Sequence, residues 1–505
     1  MEESLWDSAN KLRGKVESSE YKHVVLALIF LKFASDKFVK RRQVLIDQGM
    51  AKFLEQREFY NAENVFYLPE ETRWSYIMDH AKQDDIAVKI DTALSTIEKK
   101  NPSLQGALPD NYFSRLGMDP AKLATLLDTV NDIDTLAGGS GEDVVGRVYE
   151  YFLGRFAAAE GKGGGEFYTP KCIVNLLAEM LEPYSGKIYD PCCGSGGMFV
   201  QSVDFVQNHH GNKKNVSIYG QEYTATTRKL AKMNLAVRGI SANLGDAAAN
   251  TFQQDQHPDL KADYVLANPP FNQSQWRTDN ELTKDPRWAG YPVPPTGNAN
   301  YAWILHILSK LSESGTAGFV LANGSMSSQS SGEGDIRRKL LENDVVDCMI
   351  ALPGQLFYTT QIPVCLWFLT RDKAAVHNTH QRDRRGETLF IDARQLGSMI
   401  DRTHKELTPD DIGIIADTYH DWRDGKNDYE DVAGFCKSAT LNEIAKNDYV
   451  LTPGRYVGIP DEEDDGIPFE VKMEELTTTL FAQMAEGERL DEAICENLEG
   501  LGYAR

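Results

Sequence analysis

The 505-residue sequence has no apolar run of the roughly 18 residues that a membrane-spanning helix requires. Its longest candidate, VVLALIFLKF at 24–33, is too short and reads as a buried helix. The first residues lack a basic segment followed by an apolar one, so secretion is not expected. Cysteine is sparse, seven in all and scattered, with no CxxC pair and no His/Cys cluster at zinc spacing. Only Cys192 and Cys193 are close, and sequence neighbours rarely pair. Reduced thiols in a cytoplasmic protein are expected, and no metal site. No glycine-rich loop ends in Gly-Lys-Ser or Gly-Lys-Thr, which excludes a P-loop motor. There is no internal repeat. Basic charge is also short: 53 Lys and Arg face 75 Asp and Glu, a net charge of −22. The deficit is uneven, because residues 461–505 carry fourteen acidic and three basic side chains.

The pattern along the chain changes three times. Residues 1–145 look helical, with Leu5, Trp6, Ala9, Leu12 and Val16 at helical spacing and a loop at Ala137-Gly138-Gly139-Ser140-Gly141. After a second loop, Gly161-Lys162-Gly163-Gly164-Gly165, short β-branched runs alternate with helical stretches. That alternation predicts an α/β domain, a parallel sheet with crossover helices, over 146–371. Strands are predicted at 187–190, 216–221, 264–267, 318–322, 345–352 and 365–370, and a helix over 224–238. In 372–460, an extension of the catalytic domain, the signal weakens. There 377–385 is polar and basic and reads as an exposed loop, and 388–391 as one more strand. Residues 461–505 start with the acidic linker Asp461-Glu462-Glu463-Asp464-Asp465-Gly466. Phe469, Met473, Leu476, Leu480, Met484, Leu490, Ile494 and Leu498 follow at roughly three-, four- and seven-residue intervals. They predict a helical tail, packed on its own domain or docking a partner.

Four motifs carry chemistry. Asn268-Pro269-Pro270-Phe271 follows a predicted strand, at the edge where parallel sheets hold ligands. An exocyclic amine on a base is a poor nucleophile, because its lone pair is delocalised into the ring. Asn268 Oδ1 and the Pro269 carbonyl could accept both N–H groups and free that lone pair, and Phe271 offers a ring for stacking. Asp190-Pro191-Cys192-Cys193-Gly194-Ser195-Gly196-Gly197 is an acid at a strand end and then a turn whose glycines let a ligand approach the backbone. Glu222 ends the next strand, where an acid binds ribose hydroxyls in nucleotide-binding α/β folds. Asp246 ends a third, where it could accept from an adenine amine. Gly165-Glu166-Phe167-Tyr168-Thr169-Pro170-Lys171 sets Thr169 as an N-cap and Pro170 as the first residue of a helix whose free amides suit a carboxylate.

DPCCGSGG, Glu222 and NPPF, preceded by GEFYTP, resemble the amino-methyltransferases of DNA. GTAGFVLANGSM at 315–326 and ALPGQLFYTTQIPVCLWFL at 351–369 are similar to the type I restriction–modification system's modification subunit, HsdM, as is the helical N-terminal region. The resemblance implies a doubly wound, Rossmann-like methyltransferase sheet of seven strands with one antiparallel edge strand, a helical N-terminal domain and transfer to N6 of adenine in DNA. It implies an S-adenosyl-L-methionine site at Glu166, Phe167, Tyr168, Thr169, Pro170, Lys171, Asp190, Cys193 (through its backbone), Gly194, Ser195, Gly196, Glu222 and Asp246. The catalytic residues would be Asn268, Pro269, Pro270 and Phe271. Its partners would be DNA, a specificity subunit that usually takes two modification subunits, and an ATP-dependent restriction subunit. The net charge agrees with that assembly, since a protein that held DNA alone would usually show a basic stripe.

Four other readings compete, one of them a catalytically silent binding module, which would show a broken NPPF or glycine loop where both are intact. A self-sufficient adenine methyltransferase would need residues 372–505 to read DNA, against their acidity. A protein glutamine methyltransferase typically has Tyr at the position of Phe271 and a shorter chain. A nuclease would use Pro460-Asp461 and Glu470-Val471-Lys472, with the last three on a sheet strand rather than opening a helix.

Overall fold

The computed structural model describes residues 18–133, 151–152, 169–357, 362–459 and 469–500. The chain divides into two units, Met1–Gly458 and Ile459–Arg505. Among the described residues no helix is long and apolar enough to cross a membrane.

The first unit begins with helices, the longer ones being α1 (Ser18–Asp47), α2 (Ile86–Lys100) and α3 (Pro120–Asn131). The apolar run read from the sequence lies in α1, where Val24 to Leu31 are each wholly buried, so this helix is covered on every side. α3 starts where Asp119 accepts from the Ala121 amide at 2.9 Å and Pro120 takes the first position. Buried Asp91 on α2 accepts from the amides of Tyr112, Phe113 and Ser114 at 2.8–2.9 Å, which pins the segment between α2 and α3. The helical pattern from Leu5 to Val16 and both glycine-rich loops lie outside the described residues, as does the 145/146 boundary.

The sheet strands are β1 (Gly186–Asp190), β2 (Val216–Gly220), β3 (Ala242–Asn243), β4 (Ala262–Ala267), β5 (Leu311–Ala322), β6 (Val346–Ala351), β7 (Val364–Thr370) and β8 (Glu387–Asp392). The two-residue strands β9 (Ser398–Met399) and β10 (Lys405–Glu406) form a separate ribbon, and β11 (Cys436–Thr440) completes the main sheet. Its order is β11-β8-β6-β7-β5-β4-β1-β2-β3. The seven strands predicted with ranges are present, β5 starting seven residues earlier than read and the others within two residues of the predicted ends, whereas the third strand, read as ending at Asp246, ends at Asn243 and leaves Asp246 on the loop beyond it. The topology differs from the expected seven strands in two ways. The antiparallel strand β7 is not at an edge but between β5 and β6, and β8 and β11 extend the sheet to nine strands. β7 reads VCLWFLT and every residue is buried, a run that needs cover on both faces and a neighbour on both sides. The more polar CKSAT of β11 forms the edge, antiparallel to β8.

Alternate strand residues face two cores. Ile188, Val320 and Ile350 belong to one, and Tyr189, Phe319, Leu321 and Met349 to the other. The first is covered by α4 (Lys171–Leu181), α5 (Gly197–Asn208), α6 (Ala225–Val237) and α9 (Pro409–Asp424). The second is covered by α7 (Asn300–Lys310) and α8 (Glu333–Glu342). Leu230, Met233 and Val237 of α6 also join the N-terminal helical core, so α6 links the two parts. Lys232 Nζ adds a hydrogen bond to the Gln105 carbonyl at 3.0 Å. α9 has a capping box, with Thr408 and Asp411 bonding each other's backbone amides, and ends at Gly425 with φ 65°.

The basic segment 377–385 is the mostly exposed loop its composition suggested, with Arg384 as its buried exception. Arg384 is 1% exposed and ion-paired with Asp347, and Arg382 lies over the Trp422 ring while pairing with Glu387. Only in combination with the acids and rings of β6, β8 and α9 do these guanidinium groups become packing elements.

The second unit contains the helix α10 (Phe469–Gly500), as the tail pattern predicts. Glu470, Val471 and Lys472 are helical, which removes the strand context a nuclease would need. The acidic linker lies outside the described residues.

Candidate active site

The described candidate residues gather at the C-terminal edge of the sheet, where β1 and β4 are neighbours and the winding direction reverses. A crevice opens at such a reversal because the crossovers on its two sides lead away from each other. Asp190 is the last residue of β1, Glu222 lies just past β2 and Asn268 just past β4.

Between β1 and α5 the chain makes its glycine turn. Gly194 has φ +53° and Gly196 φ +82°, which L side chains rarely adopt. A Cβ on Gly194 would meet no described atom within 4 Å, so this glycine borders open space. One on Gly196 would contact Leu235 at 3.5 Å, so that glycine seats the turn against α6. Cys193 donates its amide to the Gln221 carbonyl at 2.9 Å, and its own carbonyl accepts from Gly196 at 2.8 Å. The backbone of Cys193 therefore holds the turn together. Its thiol is buried and pushed well above the usual range by that burial. The Ser195 carbonyl accepts from Asn234 Nδ2 at 2.8 Å.

Glu222 is fastened by both oxygens. Oε2 accepts from the Gly194 amide at 3.0 Å and Oε1 from the Thr224 amide at 2.8 Å. Asp190 is 2% exposed and accepts from the Cys192 amide at 2.9 Å. Burial raises its carboxyl to about 7, against the lowering by the Cys192 hydrogen bond and with a small addition from the charge of Glu222. Asp246 is exposed on a loop whose amides at Asp246 and Ala247 donate to Gln256 Oε1 at 3.1 and 3.3 Å.

Asn268 has the most informative environment. Its Nδ2 donates to Thr169 Oγ1 at 2.9 Å, while its Oδ1 is buried without a hydrogen-bond partner among the described residues. Leaving a buried acceptor unmatched costs about 1–3 kcal/mol, so such an atom in a crevice is a place for a donor. Pro269 is buried and Pro270 half-buried. Phe271 is 9% exposed and meets Phe357 edge-to-face, with ring centroids 5.7 Å apart.

Thr169 is not the helix cap that the sequence suggested. α4 starts at Lys171, Pro170 holds the N-cap position, and no described side chain caps it. The Thr169 hydroxyl is directed to Asn268 instead. Glu166, Phe167 and Tyr168 lie outside the described residues. Lys171 is exposed in the first turn of α4.

Sequence reasoning missed several supporting side chains. Gln221 is wholly buried and staples the 249–256 segment through Ala249, Gln254 and Gln256. Arg228 on α6 donates to the Leu244 carbonyl at 3.0 Å and to that of Gly245, which holds the loop before Asp246. Asn323, just past β5, has a second buried oxygen without a described partner. The available signal was polar residues at inward positions of an amphipathic helix and at strand ends.

Comparison with known proteins places these residues in context. Residues 140–465 match the family model described as N-6 DNA Methylase, and residues 1–133 that of the HsdM N-terminal domain. The chain is 51% identical over 430 residues to the type I restriction enzyme HindI methylase subunit of Haemophilus influenzae, covering 84% of this chain and 94% of the relative. It is 40% identical over 522 residues to the MjaIX methylase subunit of Methanocaldococcus jannaschii, covering 99% and 91%. Among solved structures, a type I restriction-modification system methyltransferase subunit from Streptococcus thermophilus superposes with a TM-score of 0.74 at 24% identity, over 90% of this chain and 98% of that one. This last likeness bears on the fold.

Proposed function

Because the chain belongs to the N-6 DNA methylase family and carries an HsdM N-terminal domain, we propose that it methylates N6 of adenine in DNA as the modification subunit of a type I restriction–modification complex. The observation that carries this reading is the Asn268 amide at the end of β4, anchored through nitrogen and presenting a buried, unmatched oxygen.

The residues of the crevice fit S-adenosyl-L-methionine. Gly194 borders open space, and a fixed carboxylate, Glu222, stands beside it. Glu222 would take the ribose hydroxyls, the turn from Cys193 to Gly196 would lie along the molecule, Asp246 would meet the adenine amine, and the segment Glu166 to Lys171 the methionine carboxylate. When bound, the cofactor supplies a methyl group on a sulfonium, which is already a good leaving group.

The chain's own work is alignment and shaping of the amine. The target base is stacked within a duplex, so it must turn out to enter the crevice. Asn268 Oδ1 then accepts one N–H of the amine and the Pro269 carbonyl the other. The nitrogen moves toward tetrahedral geometry and its lone pair points at the methyl donor. Phe271, supported by Phe357, and Pro270 form the wall for the base.

The partners are those that the family relationship implies, and the charge and the tail agree with them. They would be a specificity subunit, usually shared by two modification subunits, and an ATP-dependent restriction subunit; a net charge of −22 agrees with phosphate contacts coming largely from another chain. α10 presents Leu476, Leu480, Phe481 and Met484, each more than half exposed, as a docking face. Residues 372–459 are built into the sheet and its helices as β8, β11 and α9, which leaves no separate recognition domain for a self-sufficient enzyme. A cytoplasmic location fits this role.

The test is co-expression with the specificity subunit, followed by transfer from labelled cofactor to DNA and mass spectrometry of the nucleosides. N6-methyladenine that appears only with the partner supports the reading. Equal product from the chain alone makes it self-sufficient, and no product in either sample removes the activity.

A further inference from the structure

We infer that cofactor binding in this crevice releases a proton: Asp190 stands as an uncharged acid in the empty site and becomes a carboxylate when the positively charged methyl donor enters. The inference rests on the proposed S-adenosyl-L-methionine reading and deepens it at the same site.

Two carboxyl groups are laced into one turn. β1 and β2 pair in parallel with Asp190 opposite Gly220, so the two strand ends lie side by side. Asp190 Oδ1 accepts from the Cys192 amide at 2.9 Å, and Glu222 Oε2 from the Gly194 amide at 3.0 Å. The Asp190 carbonyl also accepts from the Gln221 amide at 3.1 Å. The two acids are not equivalent. Glu222 receives an amide on each oxygen, and such bonds favour the charged form. Asp190 is 2% exposed, and among the described residues only Cys192 supports its carboxyl.

No described cation acts on Asp190. The groups around it are the thiols of Cys192 and Cys193 in the turn, the phenol of Tyr189 on its own strand, all kept neutral by burial, and Glu222 from beyond β2. The neighbouring strand β4 ends at Asn268, which does not titrate. Arg228 of α6 is committed to the carbonyls of Leu244 and Gly245, and its charge acts on Cys193 and Asp246. Lys171 of α4 is exposed. A second buried charge beside a fixed carboxylate, with no counter-ion, is unfavourable, and a proton on Asp190 removes it. Burial, opposed by Cys192 and aided slightly by Glu222, places the loss of that proton at about 7 in the empty fold. The ligand reverses the balance, because a sulfonium and an ammonium outweigh its one carboxylate. Lying along the turn, it favours the charged form of Asp190. The O–H bond of the acid breaks, its proton goes to solvent, and the carboxylate remains beside the bound cation.

The experiment is titration calorimetry of the full-length chain with S-adenosyl-L-methionine at pH 6 and pH 8, each in two buffers of different ionisation enthalpy, which counts the protons released on binding. Wild type, Asp190→Asn and Glu222→Gln are compared. At pH 6 the ligand's ammonium is fully charged, since α-amino groups titrate near 8. There the wild type should release about 0.9 proton, the fraction held by a group titrating at about 7. At pH 8 the ammonium adds its own exchange, so the readout is the difference from Asp190→Asn, which should fall to about 0.1 proton. The affinity of the wild type relative to that variant should rise about tenfold from pH 6 to pH 8. Glu222→Gln should weaken binding at both values and keep most of the release at pH 6. A wild-type count near zero at pH 6, or undiminished release in Asp190→Asn, would overturn the inference. If the asparagine variant binds too weakly to titrate, the wild-type and Glu222→Gln counts at pH 6 decide. The two levels separate cleanly, because binding without release removes only the role of Asp190, whereas no binding by the wild type at either pH removes the cofactor reading and this inference with it.

Discussion

Arg384 Nε stands 3.2 Å from Asp347 Oδ1, and both side chains are almost completely shut off from solvent, at 1% and 0% exposure. Tyr419 donates its hydroxyl to Asp347 Oδ2 at 2.8 Å. The pair ties the loop before β8 to β6 and α9. Burial by itself would push the Asp347 carboxyl up, but the charges of Arg384 and Lys373, with hydrogen bonds from Tyr419 and Arg384, hold it below the usual carboxylate range. Its folded form is therefore favoured above the carboxylate's ordinary value, and that contribution is lost as pH falls through the lowered one. Arg384→Met should cost about 3–5 kcal/mol, because it leaves a buried charge unpaired. Urea unfolding at pH 7 checks this, and a loss under about 1 kcal/mol would mean that solvent reaches Asp347.

Asp190 works in the opposite direction. Its folded carboxyl is raised to about 7 by burial, while an unfolded aspartate titrates near 3.9. Between these values the unfolded chain releases a proton that the folded chain keeps, so stability falls as pH rises from about 4 to about 7 and the penalty is complete above that. Asp190→Asn should therefore raise the melting temperature of the ligand-free protein more at pH 8 than at pH 5. An equal shift at both values would show that the carboxyl ionises freely in the fold.

Asn268→Ala removes the proposed acceptor for the amine without touching the turn at Gly194. Methyl transfer should fall by at least about a hundredfold, the scale of losing one donor–acceptor contact made at the reacting centre, with cofactor affinity nearly unchanged. Calorimetry beside a methylation assay reads both.

Gly194→Asp combines a side chain in open space with a positive-φ position beside Glu222. The backbone cost is about 1–2 kcal/mol, and the added anion fills the crevice next to an existing carboxylate. Cofactor binding should be lost while the protein still folds. Normal affinity by titration would place the cofactor elsewhere.

Leu480→Glu with Met484→Glu charges two neighbouring positions on the exposed apolar face of α10. Since both are solvent-exposed, the melting temperature should be unchanged while co-purification of the specificity subunit is lost. Retained co-purification would move the docking face off α10.

Much of the site was legible in the residues because it sits where strands end. A short β-branched run and then NPPF, or an acid and then glycines, encodes a strand edge and its chemistry within about ten residues of local sequence, the span of one strand and its turn. Asp190, Gly194, Glu222 and Asn268 fall at one sheet edge as that local pattern implies. The buried run in α1 and the amphipathic α10 were legible for the same reason, since helical period is a local property.

What only the tertiary structure decided are relations between distant segments. Thr169 and a helix-start proline spell a cap locally, yet the hydroxyl is taken by an amide 99 residues away. Basic residues at 382–385 spell an exposed loop, yet Arg384 is buried against an acid 37 residues earlier. β7 reads as one more apolar strand, and its antiparallel insertion between β5 and β6 depends on which sheet edges were open to receive it. Hydrogen-bond and ion-pair partners are chosen by proximity in the folded chain, whereas periodicity and turn chemistry are properties of consecutive residues. The sequence by itself therefore determined the elements and the chemistry at their ends, and the packing determined which end each polar group serves.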